Sequence, residues 1–453
     1  MLISNVKNIL LLLFSFIIFY IFFLNFNIYI GQKKYYILFT IVSIFYLFYN
    51  LYNFRNFFHF FLSFFIFLGF WFKFSFNSIY NHYSLKNSNY YAEASDLFNF
   101  TPNNIDNVII ISTVAIVGMM VSNFFKKFNI KIQYNRIIQK INLLEIFVII
   151  FFFIFIFSTN IIYEIYLKGL YNNNLNYLIY IFYAFIYQVG GLFLLGYLCD
   201  CHIVNEKYDN YKYIILFTLI AMLLISNISR NILLFLPFCY VAFLKLLEKN
   251  YMLKLKSMFI FAITLLLIVF IFTFSHLVRI EKYHNYKMQL STQKVYYELY
   301  HFIKNRFVGI DALMSVYSVK DKNFNTYLDS WKKKDLPGNK SFFQNLLKEN
   351  IKKNNIKNSN FQTVPGIIAH LFYSNSISFV FFSCLLIAFL FSYLEMIMSR
   401  YYNCENVLAI FSFIVVYRLI HFGHNPKNTV MLVFAIFVSI ICLKFYEYLK
   451  KKF

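Results

Sequence analysis

Residues 142–162 read NLLEIFVIIFFFIFIFSTNII, and this stretch decides the fold class. Glu145 near its start is the only charge in it. A helix of about 20 apolar residues crosses a hydrocarbon core about 30 Å thick, and this run is long enough. Similar runs begin near Ile9 and lie near 35–52, 56–76, 108–125, 175–198, 213–227, 231–247, 257–275, 374–398, 405–421 and 428–446. The first has no polar cleavage site after it and reads as a retained helix. Composition agrees: 60% of the 453 residues are hydrophobic, 23% aromatic and 13% charged, with a mean hydropathy of +0.60. A β-barrel would instead show short alternating segments. The sequence therefore predicts an all-α, polytopic integral membrane protein of about 12 transmembrane helices.

Basic residues set the expected orientation, because short cytoplasmic loops collect Lys and Arg. Lys126, Lys127, Lys131, Arg136 and Lys140 share one loop; Lys245, Lys249, Lys254 and Lys256 share another; Lys450 to Lys452 close the tail. With an even number of spans these fall on one face together with the N-terminus, the cytoplasmic one. The net charge of +23 then reflects this bias and anionic lipid headgroups, and it does not imply nucleic acid as a partner. Six cysteines (Cys199, Cys201, Cys239, Cys384, Cys404, Cys442) lie outside the segments assigned to the outer face, so they offer no disulfide framework there. Cys199-Asp200-Cys201-His202 lacks the second ligand pair of a structural zinc site. No paired-acid spacing for a hard cation occurs in an early outer loop. No metal and no cofactor is expected.

Three parts follow: residues 1–274 as an N-terminal bundle of about nine spans, 275–373 as one large outer loop, and 374–453 as a three-span segment with a cytoplasmic tail. Within the loop, Tyr296, Tyr300, Ile303, Phe307, Ile310, Met314 and Tyr317 recur at three and four. That spacing predicts an amphipathic helix over 290–318, lying at the interface with Arg306 and Asp311 on opposite borders of its apolar stripe. From Lys320 to Asn360 the pattern dissolves around Pro337-Gly338 into a stretch expected to be mobile. Helical character returns after Pro365-Gly366.

Ionisable residues at span ends are the candidate site. Arg230 sits in SNISRNILL between two spans, Arg279 follows the ninth, and Arg306 lies in the loop. His370 precedes the tenth span, while Arg418 and His421 share a face of the eleventh. All fall on the outer side. Each alone reads as a snorkelling interfacial anchor. Together they break the charge bias, and charges at membrane depth are functional suspects. Guanidinium groups bind phosphate oxygens bidentately and stay charged. A polyprenyl pyrophosphate is a fitting ligand: Arg230, Arg279, Arg306 and Arg418 would stabilise its charge as it leaves a sugar. An attacking hydroxyl then needs a base, for which His370, Asp311 and His421 are the candidates.

With these residues in place, the chain resembles the Wzy-type O-antigen and capsule repeat-unit polymerases. The stretches that carry the resemblance are SNISRNILL, NRFVGIDALMSVY (Asn305 to Tyr317) and TVPGIIAHLFYSNS (Thr363 to Ser376), within a similar overall architecture. The family often has an acidic residue where His370 stands. The resemblance implies a GT-C-like bundle and the bacterial inner membrane, with the large loop and active face periplasmic. It implies an undecaprenyl-pyrophosphate-linked oligosaccharide as both donor and acceptor, for O-antigen or capsule synthesis. Membrane lipids are further partners, and a chain-length regulator is a candidate protein partner. The alternatives are an O-antigen ligase acting on the same carrier, a transporter or repeat-unit flippase, and a purely structural membrane protein.

Overall fold

In hydrocarbon a chain must satisfy its own backbone hydrogen bonds, and helices do so within one segment. The computed structural model describes residues 2–52, 56–79, 98–125, 140–167, 176–203, 212–227, 236–241, 309–332, 342–346, 365–401, 404–421 and 426–452. These residues are helical apart from short connections and one two-residue parallel pairing, Lys140 with His202 and Ile141 with Ile203. In chain order the helices are α1 (Leu2–Ile28), α2 (Lys33–Tyr52), α3 (Phe57–Ile79), α4 (Pro102–Phe125), α5 (Leu143–Tyr163), α6 (Tyr177–Asp200) and α7 (Lys212–Ser226). The loop contributes α8 (Gly309–Ser318), α9 (Phe324–Lys332), α10 (Phe342–Leu346) and α11 (Ile367–Leu371). After it come α12 (Ile377–Tyr401), α13 (Glu405–Val416) and α14 (Pro426–Lys452).

Seven of the described helices are long and apolar enough to cross a membrane: α2 to α6, α12 and α14. Burial separates them. The apolar window of α3 is 83% buried, whereas those of α5, α12 and α14 are 22% buried. Helix α3 is therefore the axis of the bundle. The others present Phe, Ile and Leu outward, as helices facing lipid do.

One end of the bundle is closed by amides and helix caps. Asn123 donates to Asn50, and Asn56 donates to Asn123. Buried Glu395 accepts from the Phe57 and Phe58 amides that open α3, both at 3.0 Å. Asp200 does the same for the Asn406 amide at the start of α13 (2.8 Å). The first N–H groups of a helix have no partner of their own, and a carboxylate there also meets the positive end of the dipole. These acids hold helices together.

The loop departs from the sequence expectation. Helix α8 is the described part of the segment expected to lie amphipathically at the interface, yet Gly309 to Val316 are all buried. Its face opposite the apolar stripe carries Ala312 and Ser315, small enough to be enclosed, and a helix covered on every side belongs in a core. Residues 290–308 lie outside the described ones. Beyond Lys320, where a mobile stretch was expected, α9 and α10 form.

Candidate functional site

The other end of the bundle is built around a local irregularity in α3. Residues Phe67–Phe72 form a π-helical segment; such bulges widen one turn and recur at functional sites. Against it rests the start of α8. Gly309 has φ +25°, and a Cβ there would lie 1.9 Å from the Gly69 carbonyl oxygen. Only glycine permits this backbone-to-backbone approach. Two residues on, Asp311 Oδ2 lies 2.6 Å from Lys73 Nζ, with side chains 6% and 9% exposed. Asp311 also sits in the first turn of α8, where the helix dipole favours an anion. Removing one partner from a buried pair leaves an uncompensated charge and costs about 3–5 kcal/mol.

Helix α11 packs on α8 and carries His370, which is 2% exposed. Pro365-Gly366 starts it. A Cβ on Gly366 would sit 3.2 Å from the Ile420 carbonyl, so the helix begins pressed against the segment that follows α13. His370 Nε2 is 3.5 Å from Ser330 Oγ, the outer limit of a hydrogen bond. The imidazole lies between Tyr373 and Tyr327, at 5.2 and 5.5 Å between ring centroids. The Tyr327 and Ser330 contacts both come from α9.

Arg418 lies in a second π segment, Tyr417–His421, which continues α13. Its Nη2 donates to Oε1 of Gln188, which itself lies in a third π segment, Ile186–Gly190 of α6. Gln188 Nε2 donates to the Tyr166 hydroxyl, and Tyr166 stacks on Tyr187 at 5.6 Å. The Tyr187 hydroxyl bonds Ser226. Asn160 ties the ends: its side chain donates to the Ser226 carbonyl at 2.9 Å and accepts from the Tyr166 amide at 2.7 Å. A guanidinium seated in such a network has its direction fixed.

Asp311, His370 and Arg418 thus occupy elements in sequential contact: α8 on α11, and α11 on the π segment after α13. His421 ends that segment, but its side chain is not among the described ones. Arg230, Arg279 and Arg306 lie outside the described residues. The sequence reading missed Lys73 and Gln188. A lysine inside FLGFWFKFSF was the available signal, since charges in apolar spans are costly. Gln188 gave a weaker one, being neutral. Asp106 is buried in α4, one turn in from its start, where it accepts from the Tyr29 hydroxyl at 2.6 Å and from the Gln32 amide. An apolar cavity of about 20 Å³ lies elsewhere, among Ile141, Leu198 and Leu216, and holds no chemistry. Comparisons with family models, with curated proteins and with solved structures gave no match.

Proposed function

We propose that the chain is a membrane glycosyltransferase of GT-C-like architecture with about 12 spans. In this reading it polymerises oligosaccharide repeat units carried on undecaprenyl pyrophosphate at the periplasmic face of the bacterial inner membrane. One observation supports it above the others. Three polar residues far apart in sequence, Asp311, His370 and Arg418, sit on elements packed against one another at the loop end of the bundle.

The chemistry follows from the groups present. Arg418, aimed by Gln188, and the arginines at 230, 279 and 306 hold the donor's pyrophosphate. The bond between sugar C1 and the pyrophosphate oxygen breaks, and its electron pair leaves with the pyrophosphate. A bond from C1 to the acceptor's hydroxyl oxygen forms, and the hydroxyl proton passes to an imidazole, His370 or His421. Asp311, engaged by Lys73 at 2.6 Å, anchors the loop to the bundle. Preplaced cations stabilise the developing charge without reorganising at the moment of reaction.

The test is a glycan ladder from cells expressing single variants. Arg230→Ala, Arg306→Ala and Arg418→Ala are each expected to abolish long chains at unchanged protein level. Normal ladders in two of the three overturn the pyrophosphate clamp. Glycan appearing on lipid A with no lengthening on the carrier identifies a ligase instead.

A further inference from the structure

Helix α9 has three faces. At about 100° per residue, Thr326, Tyr327 and Ser330 form the inner one, and Tyr327 and Ser330 meet His370. Asn325, Asp329 and Lys332 form an exposed polar face, with Lys332 Nζ 2.8 Å from Asp329. Phe324, Leu328 and Trp331, spaced at four and three, form the last: they are apolar yet 50%, 42% and 41% exposed. A stripe of this kind on a soluble surface is a liability, and large apolar patches mark interaction sites.

The surroundings of the stripe name its occupant. Phe324 meets Phe379 edge-on at 5.5 Å, and Tyr327 meets the same ring at 5.0 Å. Phe379 lies in the first turn of α12, whose outward flank continues through Phe382, Leu386 and Leu390, all exposed. At the other end of α9, Lys427 Nζ donates to the Lys332 carbonyl at 2.8 Å. That joins α9 to the start of α14, which exposes Val430, Met431 and Phe434. The stripe is thus continuous with the apolar flanks of two spans, at the level where those spans end. Tryptophan favours that level of a bilayer, and the sequence continues from Trp331 into Lys332-Lys333-Lys334.

We infer that α9 is a membrane-seated strap: Phe324, Leu328 and Trp331 enter the headgroup–acyl boundary of the lipid, and that seat holds Tyr327 and Ser330 against His370. An interfacial helix buries its apolar side about 5–10 Å into this layer. The inference is independent of any glycan chemistry and rests only on the helices lying in a membrane.

The chain has two tryptophans, Trp71 and Trp331, which makes the test direct. Trp71 is fully buried, with its Nε1 bonded to Thr40. The full-length protein is reconstituted in phosphatidylcholine vesicles, plain or brominated high on the acyl chain. Wild-type fluorescence is expected to contain a component strongly quenched by bromine and shielded from aqueous iodide, which Trp331→Phe removes. Leu328→Asp is expected to weaken the bromine quench several-fold and admit iodide. Equal bromine quenching of wild type and Trp331→Phe, or iodide access to Trp331 in the wild type, overturns the strap. Shielding from iodide without bromine quenching, appearing only at high protein-to-lipid ratio, overturns it as well and points to contact between copies.

Discussion

Helices α8 and α9 come from one loop and are separated by a few residues, yet they meet opposite environments. The first is buried on every side and tied by Asp311 to Lys73. The second has one residue buried, Ser330, and shows an apolar stripe outward. The difference teaches that periodicity alone does not say what a stripe faces. Small residues on its far side let α8 be enclosed, whereas Asn325, Asp329 and Lys332 bar α9 from a core.

That contrast can be broken most forcefully at the ion pair. Lys73→Met or Asp311→Leu alone is expected to cost about 3–5 kcal/mol, and the two together to recover most of it. Thermal unfolding in detergent reads the cycle, and additive losses would mean that the two groups do not act as a pair. Next comes Gly309→Ala, expected to cost about 1–3 kcal/mol for its positive φ alone, with the collision against Gly69 added. Gly69→Ala is the sharper control, because its Cβ would approach Gly309 no closer than 3.6 Å. A change within about 0.5 kcal/mol is expected for it. On α9 the same size of change is expected from Leu328→Asp in detergent, since that side chain lies on the protein's outer surface and not in its core. An equal loss of stability in the two helices would erase the contrast.

The segment between the two helices is tested by titration. Lys322 caps the end of α8, donating to the Tyr317 carbonyl at 2.6 Å and to that of Val319. Burial lowers its ammonium to about 8, against about 10.4 for an ordinary lysine. The folded state therefore binds fewer protons than the unfolded one between these values, and stability rises as pH climbs from about 8 toward 10. Acylation of the Lys322 amine, followed by peptide mass spectrometry, is expected to be half-maximal near pH 8. A midpoint in the ordinary lysine range would contradict this.

Seven of the expected spans were legible because each is a long, mostly apolar run, and Asn142 to Ile162 appears as α5 with its ends one residue off. Pro365-Gly366 likewise announced α11. The polar contacts were not legible, because they join residues distant in sequence: Lys73 to Asp311, Gln188 to Arg418, Asp200 to Asn406. Asp200 is instructive. It stands between two cysteines in a sequence that superficially resembles a metal site, while its carboxylate caps a helix more than two hundred residues away. Asp311, His370 and Arg418 were readable as polar residues near span ends, but what holds each one was not. The π segments that carry Gln188 and Arg418 and precede Lys73 have no sequence signature of their own.

The proposed function is tested most directly by purified protein in vesicles, supplied only with repeat units linked to polyprenyl pyrophosphate. The account predicts a ladder of longer lipid-linked glycans with matching release of polyprenyl pyrophosphate, lost in Arg418→Ala. Unchanged repeat units, with the wild-type protein folded and correctly inserted, would contradict it.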